Sequence, residues 1–363
     1  MSMPLYQMIP ASYAPKKILI IKLRHHGDML LTTPVIEALH HHYPEASIDI
    51  LLYQETYPML EAHPLINRLH CIDRRWKQAG IWSHMRHEVA LAQTIRGEHY
   101  DLVINLADQW RSALLCRFSG APVRIGFDYE KRRGILWRQA HTHLVPTQGR
   151  SELHTVEQNL AALLPLGIAG EKWPARMHFH DSDQRQVSSL LAEQCPDNKP
   201  YIVIQPTSRW VYKCWDDDKM AALIDNLSLD QVTVILTSAP DKKELAMIDS
   251  ILSLCHHAKP VSLAGKLSLP QLAALIDNAR LFIGVDSAPM HMAAALNTPC
   301  IALFGPTKVT QWRPWGENNQ VIWAGDYTDL PPPNQIDTKT KQRYLSAIPV
   351  GVVTDAARGY LHG

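Results

Sequence analysis

Short apolar runs alternate with amphipathic stretches along most of the chain. The first run, 17–22, is rich in β-branched residues and lies between Pro15 and Gly27, a pattern typical of a buried parallel strand. Segments with helical periodicity separate this run from the next ones, so the pattern indicates repeated βα units. The other predicted strands are 47–52, 68–72, 101–105, 123–127, 201–204, 232–236, 260–263, 281–285 and 300–304.

A stretch rich in proline and glycine interrupts this alternation at 165–174. Because the βα pattern restarts after it, we predict an α/β protein with two doubly wound domains, at 1–172 and 173–345. We expect the last segment, 346–363, to form an amphipathic helix that packs back on the first domain. Ligands of such sheets bind beyond the carboxyl ends of the strands, and a cleft between two such domains is a natural site.

Composition excludes several classes of protein. Lys and Arg total 36 against 35 for Asp and Glu, which argues against a nucleic-acid binder. No uncharged apolar run approaches the ~20 residues of a membrane span, and we expect no secretory signal. The six cysteines form no CxxC pair, so we predict neither a disulfide framework nor a zinc knuckle. We therefore expect a reducing compartment.

The first candidate for chemistry follows the first predicted strand. Asp28 lies in the segment 24–28, at a strand-to-helix junction that faces the predicted cleft. A carboxylate there is suited to act as a general base. Asp is also favoured as a helix N-cap, so both interpretations stay open on the local pattern.

Two candidates in the second half are typical of phosphate binding. Thr207, Ser208 and Lys213 follow the strand 201–204 and offer two hydroxyls and a cation to phosphate oxygens, although an ordinary polar loop would look similar. The strand 281–285 ends at Asp286-Ser287, where a helix rich in small residues begins. Its free amides and positive dipole end indicate an anion or pyrophosphate site, while a simple helix cap is the alternative.

The order of these features predicts a nucleotide-sugar transferase. The sequence contains neither a G-x-G-x-x-G after the first strand nor a G-x-x-x-x-G-K-[ST] motif, which argues against a Rossmann dehydrogenase or a P-loop protein. The phosphate-binding features fall in the second half and the candidate base in the first. A donor nucleotide held by the second domain, with chemistry in the cleft, fits this arrangement.

Six segments, in order, resemble the heptosyltransferases of glycosyltransferase family 9, which build the lipopolysaccharide core. They are KILIIK at 17–22 with Gly27-Asp28, TTPV at 32–35, PVRIGF at 122–127, HTVE at 154–157, GVDSAPMH at 284–291 and LFGPT at 303–307. The resemblance extends from Lys16 to about Gly316. It implies a GT-B fold, in which two Rossmann-like doubly wound domains face a central cleft.

The resemblance also implies the reaction. The donor is ADP-L-glycero-β-D-manno-heptose, which is a substrate and not a cofactor, and the acceptor is the second heptose of the lipid A-linked inner core. Transfer inverts the anomeric centre and needs no metal. The expected location is the cytoplasm, at the cytoplasmic face of the inner membrane, with peripheral membrane contact at most and no nucleic-acid partner.

Residue roles follow by matching motifs. Asp28 matches the catalytic aspartate of the family, which takes the proton from the acceptor hydroxyl. Because the acceptor is anionic, we expect basic side chains of the first half to bind it, namely Arg24, Arg124, Arg132 and Arg133. The residues expected to bind the donor are Thr207, Ser208, Lys213, Glu244, Leu267, Asp286, Ser287, Ala288 and His291.

Three alternatives remain at this stage. The chain is a transferase for another heptose of the core, a GT-B sugar-nucleotide epimerase, or a non-catalytic ligand- or metal-binding protein. Adjacent histidines at 25–26, 40–42 and 256–257 favour the last of these. However, neighbouring residues on a helix point to different faces, and no Cys or carboxylate completes a tetrahedral set.

Overall fold

The computed structural model describes residues 7–362, except 79, 133, 196 and 198. The chain divides into two compact units, of which the first ends at Arg176 and the second begins at Met177. The division therefore lies four residues beyond the boundary expected from the sequence. Arg133, one of the expected acceptor-binding residues, lies outside the described residues.

The first unit is built on a six-stranded parallel sheet with the order β3-β2-β1-β4-β5-β6. The central strand β1 is buried along nearly all its length, which explains its continuous apolar run. The last strand was not predicted, because its short sequence HLVP carries a His and a Pro. The strands are β1 (Lys17–Ile21), β2 (Ser47–Tyr53), β3 (Arg68–Ile72), β4 (Leu102–Asn105), β5 (Val123–Asp128) and β6 (His143–Pro146).

The helices of the first unit connect these strands. The segment between β1 and β2 forms two helices, because Pro34 has no amide hydrogen to donate and fits only the first turn of the second one. The helices are α1 (His26–Leu30), α2 (Thr33–His42), α3 (Ile81–Gly97), α4 (Trp110–Phe118), α5 (Ile135–Ala140) and α6 (Thr155–Leu160).

The second unit repeats this plan with the strand order β12-β11-β10-β7-β8-β9, again all parallel. Each sheet reverses its winding beside its first strand, so the prediction of two doubly wound domains is confirmed. The strands are β7 (Tyr201–Gln205), β8 (Thr233–Leu236), β9 (Val261–Ser262), β10 (Leu281–Val285), β11 (Cys300–Phe304) and β12 (Asn319–Trp323). The helices are α7 (Asp181–Gln194), α8 (Asp217–Leu227), α9 (Lys242–Leu254), α10 (Leu269–Asp277), α11 (Ala288–Ala295), α12 (Val309–Trp312) and α13 (Val350–His362).

The last helix, α13, differs from expectation in where it packs. Its apolar residues Val353, Ala357 and Leu361 are buried in the core of the second unit, against α8 and the sheet. Arg280 also donates a hydrogen bond of 3.1 Å to the carbonyl of Leu361. The expected packing on the first domain is therefore corrected. Helical periodicity reveals an apolar stripe but not which sheet receives it.

Across the described ranges, no helix is long and apolar enough to cross a membrane.

Candidate functional site

Asp28 lies where the sequence analysis places it, just beyond the carboxyl end of β1. It is the third residue of α1, whose N-cap is His25, so Asp28 is not the N-cap. Its backbone carbonyl accepts a hydrogen bond of 2.8 Å from the Thr32 hydroxyl, and the residue is partly exposed.

A buried lysine, which the sequence analysis did not select, lies close to this carboxylate. Lys22 is 4% exposed, and its Nζ donates a hydrogen bond of 3.0 Å to Oδ1 of Asn159. Burial lowers the pKa of Lys22 to about 8; the charge of Asp28 opposes this shift, while Arg150 and Arg24 add to it. Asn159 in turn donates 2.8 Å to the carbonyl of Leu31, which ties the lysine to the end of α1.

Asp108 gathers three basic side chains at the same edge of the sheet. It accepts a hydrogen bond of 3.0 Å from Arg24 and is ion-paired with Lys131, while its carbonyl accepts 2.8 Å from Nε of Arg132. Burial tends to raise the pKa of Asp108, but Lys131 and Arg24 outweigh it and hold the pKa below its ordinary value. The structure thus brings two expected acceptor-binding residues, Arg24 and Arg132, together. The reason is that β1 and β4 are neighbours and end at one edge.

Arg150 adds a partly buried cation to this edge. Its guanidinium lies 3.6 Å from the ring centroid of Phe127 and 5.7 Å from that of Tyr129. Burial lowers its pKa, and in the described part of the chain its Nε has no hydrogen-bond partner. A buried donor without a partner is costly, so this nitrogen is available to an anionic ligand.

Arg124 does not join this group. It lies near the amino end of β5, at the opposite edge of the sheet from Asp28. Its Nε donates 2.9 Å to the carbonyl of Ala140 and its Nη1 donates 2.5 Å to that of Ala121. These bonds tie the guanidinium to the backbone, which is a structural role, and we leave Arg124 out of the acceptor site.

In the second unit, Thr207 belongs to a hydrogen-bonded chain that joins the connections after β7 and β8. Its hydroxyl donates 2.6 Å to Oε2 of Glu244 and accepts 2.9 Å from Nε2 of Gln205. Gln205 in turn accepts 2.6 Å from the hydroxyl of Thr237. The structure therefore brings together Thr207 and Glu244, two residues that the sequence places 37 positions apart, and adds Gln205 and Thr237 as their supports.

Lys213 and Asp286 form an ion pair across the reversal point of the second sheet. The lysine Nζ donates 2.7 Å to Oδ2 of Asp286, a carboxylate that is 7% exposed. Lys213 follows β7 and Asp286 follows β10, and these two strands are paired neighbours. The carboxyl ends of the neighbouring strands bring the cation to the start of α11.

The start of α11 is the place where the sequence analysis expects an anion site. Ser287 is the N-cap by position, but its hydroxyl donates 3.1 Å to the carbonyl of Val285 and does not cap the helix. The amides that begin at Ala288 have no acceptor within the helix, and Pro289 lies in the first turn. His291 is buried one turn further along. The interpretation of Ser287 as a simple cap is therefore wrong.

The remaining expected donor residues surround this edge. Ser208 is partly exposed, and its hydroxyl accepts a hydrogen bond of 3.4 Å from the amide of Trp210. Leu267 is partly exposed in the loop after β9. That loop turns at Gly265, where φ is +68° and an added Cβ would lie 3.3 Å from the Cα of Pro240. The loop of Leu267 thus packs on the loop that leads into Glu244.

The sequence could have revealed some of the missed residues. Lys22 is a charged residue at the end of an apolar strand, and Asn159 is an amide within an apolar stretch. Such polar exceptions in buried segments mark hydrogen-bonded networks. Asp108 and Arg150 carry no comparable local signal. Among the residues that the structure describes, no three of His, Cys, Asp and Glu are arranged to hold a metal ion.

Comparison with known proteins identifies the relatives of the chain. The sequence model of glycosyltransferase family 9 (heptosyltransferase) matches residues 88–342. The chain is 45% identical over 334 residues to lipopolysaccharide heptosyltransferase 3 of Escherichia coli, an alignment that covers 92% of this chain and 96% of that protein.

Two solved structures share the fold. A family 9 glycosyl transferase from Veillonella parvula superposes with a TM-score of 0.82 at 23% identity, over 95% of this chain and 97% of that one. The E. coli heptosyltransferase WaaC, solved with ADP, superposes with a TM-score of 0.74 at 21% identity, over 95% of this chain and 99% of that one. The expected fold class, GT-B with two Rossmann-like domains, is thereby confirmed.

Proposed function

We propose that this chain, which belongs to glycosyltransferase family 9 (heptosyltransferase), transfers L-glycero-D-manno-heptose from ADP-heptose to the second heptose of the lipopolysaccharide inner core. The observation that carries the proposal is the 45% identity to lipopolysaccharide heptosyltransferase 3 over nearly the full length of both chains. The two polar strand edges described above support it, because each presents the chemistry that one of the two substrates requires.

The second unit would hold the donor. A diphosphate needs positive charge and free N–H donors, and Lys213 lies beside the first turn of α11, where Ser287 and Ala288 lie. The other expected donor contacts lie on the loops or helices that follow β7, β8, β9 and β10, and they are Thr207, Ser208, Glu244, Leu267 and His291. The partly exposed Leu267 offers an apolar surface to the adenine ring.

The first unit would supply the base. In the proposed step the acceptor hydroxyl attacks C1 of the heptose, opposite the diphosphate, while Asp28 takes its proton. The bond between C1 and the diphosphate oxygen breaks, and its electron pair leaves with ADP. Attack on the face opposite the leaving group inverts C1. The negative charge on ADP would be stabilised by Lys213 and the amides of α11, so the step is proposed without a metal.

The acceptor would be held by the basic edge around Asp108. Arg24, Arg132 and the partly buried Arg150 converge there, and guanidinium groups bind phosphates and carboxylates through paired N–H donors. Each already has one anchor, a carboxylate, a backbone carbonyl or an aromatic face. This arrangement reduces the entropy lost on binding an anion.

We also propose that the protein acts in the cytoplasm, at the cytoplasmic face of the inner membrane, with no more than peripheral membrane contact. This follows from the lipid A-linked acceptor. Transfer to another core heptose remains the first alternative, and an epimerase is the second. An epimerase would convert the donor without any acceptor, so the two classes are separable by product analysis.

The decisive test measures ADP release and acceptor mass. ADP-heptose is supplied with core acceptors that carry no, one or two heptoses. ADP release that requires the two-heptose acceptor, with one heptose added to its mass, supports the proposal. Transfer only to the cores with fewer heptoses would assign another step of the same pathway. Conversion of the donor without an acceptor would indicate an epimerase.

A further inference from the structure

The first unit exposes large apolar side chains on two neighbouring helices. Trp82 is 82% exposed, and the other members, on α3 and α4, are each more than half exposed. Single exposed apolar residues are ordinary, but a contiguous set on packed helices marks an interaction surface. We call this set the apolar face: Ile81, Trp82, Met85, Val89, Leu114 and Phe118.

Both helices are apolar on two sides. On α3, Leu91 and Ile95 are buried in the core of the unit, whereas Trp82, Met85 and Val89 repeat at helical spacing on the exposed side. On α4, Leu115 and Cys116 are buried and Leu114 and Phe118 are exposed. The core therefore accounts for only one side of each helix.

A groove of about 670 Å³ runs between the two exposed sides. Its apolar lining comes from Val89, Ala92, Leu114 and Phe118. The one carboxylate that lines it, Glu88, accepts a hydrogen bond of 3.1 Å from Nε of Arg111 and lies 3.1 Å from Nε2 of His84. Because these partners balance its charge, the groove presents no unpaired negative group to a ligand.

The charge around the apolar face is positive. The two helices α3 and α4 together hold four Lys or Arg residues but only one Asp or Glu residue, although the whole chain has a net charge of only +1. Arg86, Arg96 and Arg117 are exposed on the same two helices as the apolar residues. An apolar surface with basic residues around it complements an anionic lipid surface.

We propose that the apolar face docks the first unit on an anionic lipid bilayer, with α3 and α4 lying in the headgroup region. Trp82 fits this position because its ring is apolar and its N–H is polar, the combination that Trp supplies at membrane interfaces. A second copy of the chain is a poorer occupant, since a symmetric contact would bring the same arginines against each other. The inference rests on the proposed function in one respect: docking would bring the enzyme to a lipid-linked acceptor.

The test is sedimentation of the full chain with vesicles, comparing phosphatidylcholine alone with phosphatidylcholine that contains phosphatidylglycerol. We expect binding to the anionic vesicles, weakened by salt. The double variant Trp82→Ser/Met85→Ser should lower the vesicle partition coefficient by roughly tenfold or more, because it removes two apolar contacts. Arg86→Gln/Arg117→Gln should lower it on anionic vesicles only.

The matched control is Leu229→Ser in the second unit, where the native leucine is 73% exposed. It removes a well exposed apolar side chain outside the apolar face and should leave the vesicle partition unchanged. No binding of the wild type, or equal binding of the wild type and the Trp82 variant, would overturn the inference. So would a wild-type dimer that the Trp82 variant converts to monomer, which would make the face a contact between copies.

A second measurement separates docking from catalysis. Turnover on a lipid-free core oligosaccharide should be the same in the wild type and the Trp82→Ser/Met85→Ser variant, while turnover on acceptor in anionic vesicles should fall in the variant. Loss of turnover on both acceptors would overturn the inference, because the substitutions would then act on the enzyme itself. If the wild type transfers heptose to neither, the proposed function fails, and vesicle sedimentation alone decides the docking inference.

Discussion

The Nζ of Lys213 donates a hydrogen bond of 2.7 Å to Oδ2 of Asp286 and joins the loop after β7 to the loop after β10. The ion pair stands at the reversal point of the second sheet, where α/β folds bind their ligands. Asp286 is nearly buried, so the pair holds the lysine in one position before any donor arrives. A leaving group that gains negative charge there would meet a cation that is already in place.

Replacing Lys213 should therefore impair the chemical step. We expect Lys213→Met to lower kcat by about 10²- to 10³-fold, the effect of removing one preorganised contact to developing charge. Lys213→Arg should restore part of the activity. Lys266→Met, which removes an exposed lysine from the loop after β9, serves as the control and should keep near-normal kcat. A kcat for Lys213→Met within a few-fold of the wild type would exclude the assigned role.

Asp28→Ala should abolish most turnover while ADP-heptose still binds. Loss of a positioned general base costs about 10²- to 10⁴-fold in rate. Asp181→Ala makes the same change in the first turn of α7, at an exposed carboxylate, and controls for the effect of the helix dipole. Steady-state kinetics and donor titration on both variants decide the point. Near-normal turnover of Asp28→Ala would show that another group takes the proton.

The buried Lys22 should make stability depend on pH in the alkaline range. Its pKa is lowered from 10.5 to about 8 by burial, so between these values the unfolded chain binds a proton that the native protein does not. The free energy of unfolding contributed by Lys22 should therefore rise as pH increases from about 8 to about 10.5, by up to about 3 kcal/mol.

Urea unfolding of the wild type and Lys22→Met at pH 7.5, 9 and 10 measures this contribution. The difference between the two proteins removes the titration of other groups, and the wild type should gain on the variant as pH rises. Lys266→Met, an exposed lysine variant, should show no such trend relative to the wild type. Parallel curves for the wild type and Lys22→Met would mean that Lys22 titrates normally.

A buried hydrogen-bonded network in the first unit should stabilise the folded state less in acid than at neutral pH. Tyr100 donates 2.6 Å to Oδ2 of Asp49, and Asn67 donates 2.9 Å to Oδ1. Burial tends to raise the pKa of Asp49, but hydrogen bonds from His70, Tyr100 and Asn67 hold it below its usual 3.8. The stabilisation is therefore present above pH 3.8 and is lost as pH falls through the lowered pKa.

Tyr100→Phe should lower the free energy of unfolding by about 1–3 kcal/mol at pH 7, the cost of leaving a buried acceptor without its donor. The loss should shrink as pH falls from 3.8 through the lowered pKa of Asp49, where the native carboxyl becomes protonated. Tyr327→Phe is the control, because Tyr327 is 41% exposed. Thermal or urea unfolding at pH 7 and at a pH below 3.8 checks the prediction. An equal loss at both would mean that Tyr100 stabilises by packing alone.

The sequence was a good guide wherever the structure is local. Runs such as 17–22 predicted buried strands, and the break at 165–174 lies beside the division of the chain. The positions of Asp28, Lys213 and Asp286 after strands followed from the βα pattern, because parallel strands end at one edge. The short strand β6 was not predicted, and the pattern did not show where α2 begins. In both places a few residues carry too little periodicity.

Other features depend on contacts between residues far apart in the chain, which the sequence pattern does not reveal. Arg124 looked like a ligand of the acceptor, yet its position near the amino end of β5 commits it to backbone carbonyls. Lys22 and Asn159 are 137 residues apart and meet only because α6 returns to the first strand. Similarity to known proteins contributed the reaction, which no residue pattern in the chain specifies by itself.

By itself, then, the sequence determined the two βα series, the residues that follow each strand and the family to which they belong. Only the tertiary structure decided which of those residues share an edge, that α13 packs on the second unit and that α3 and α4 keep one apolar side exposed. The physical reason is that periodicity records which side of an element is apolar. The partner that covers that side, or its absence, is set by contacts between residues far apart in the chain.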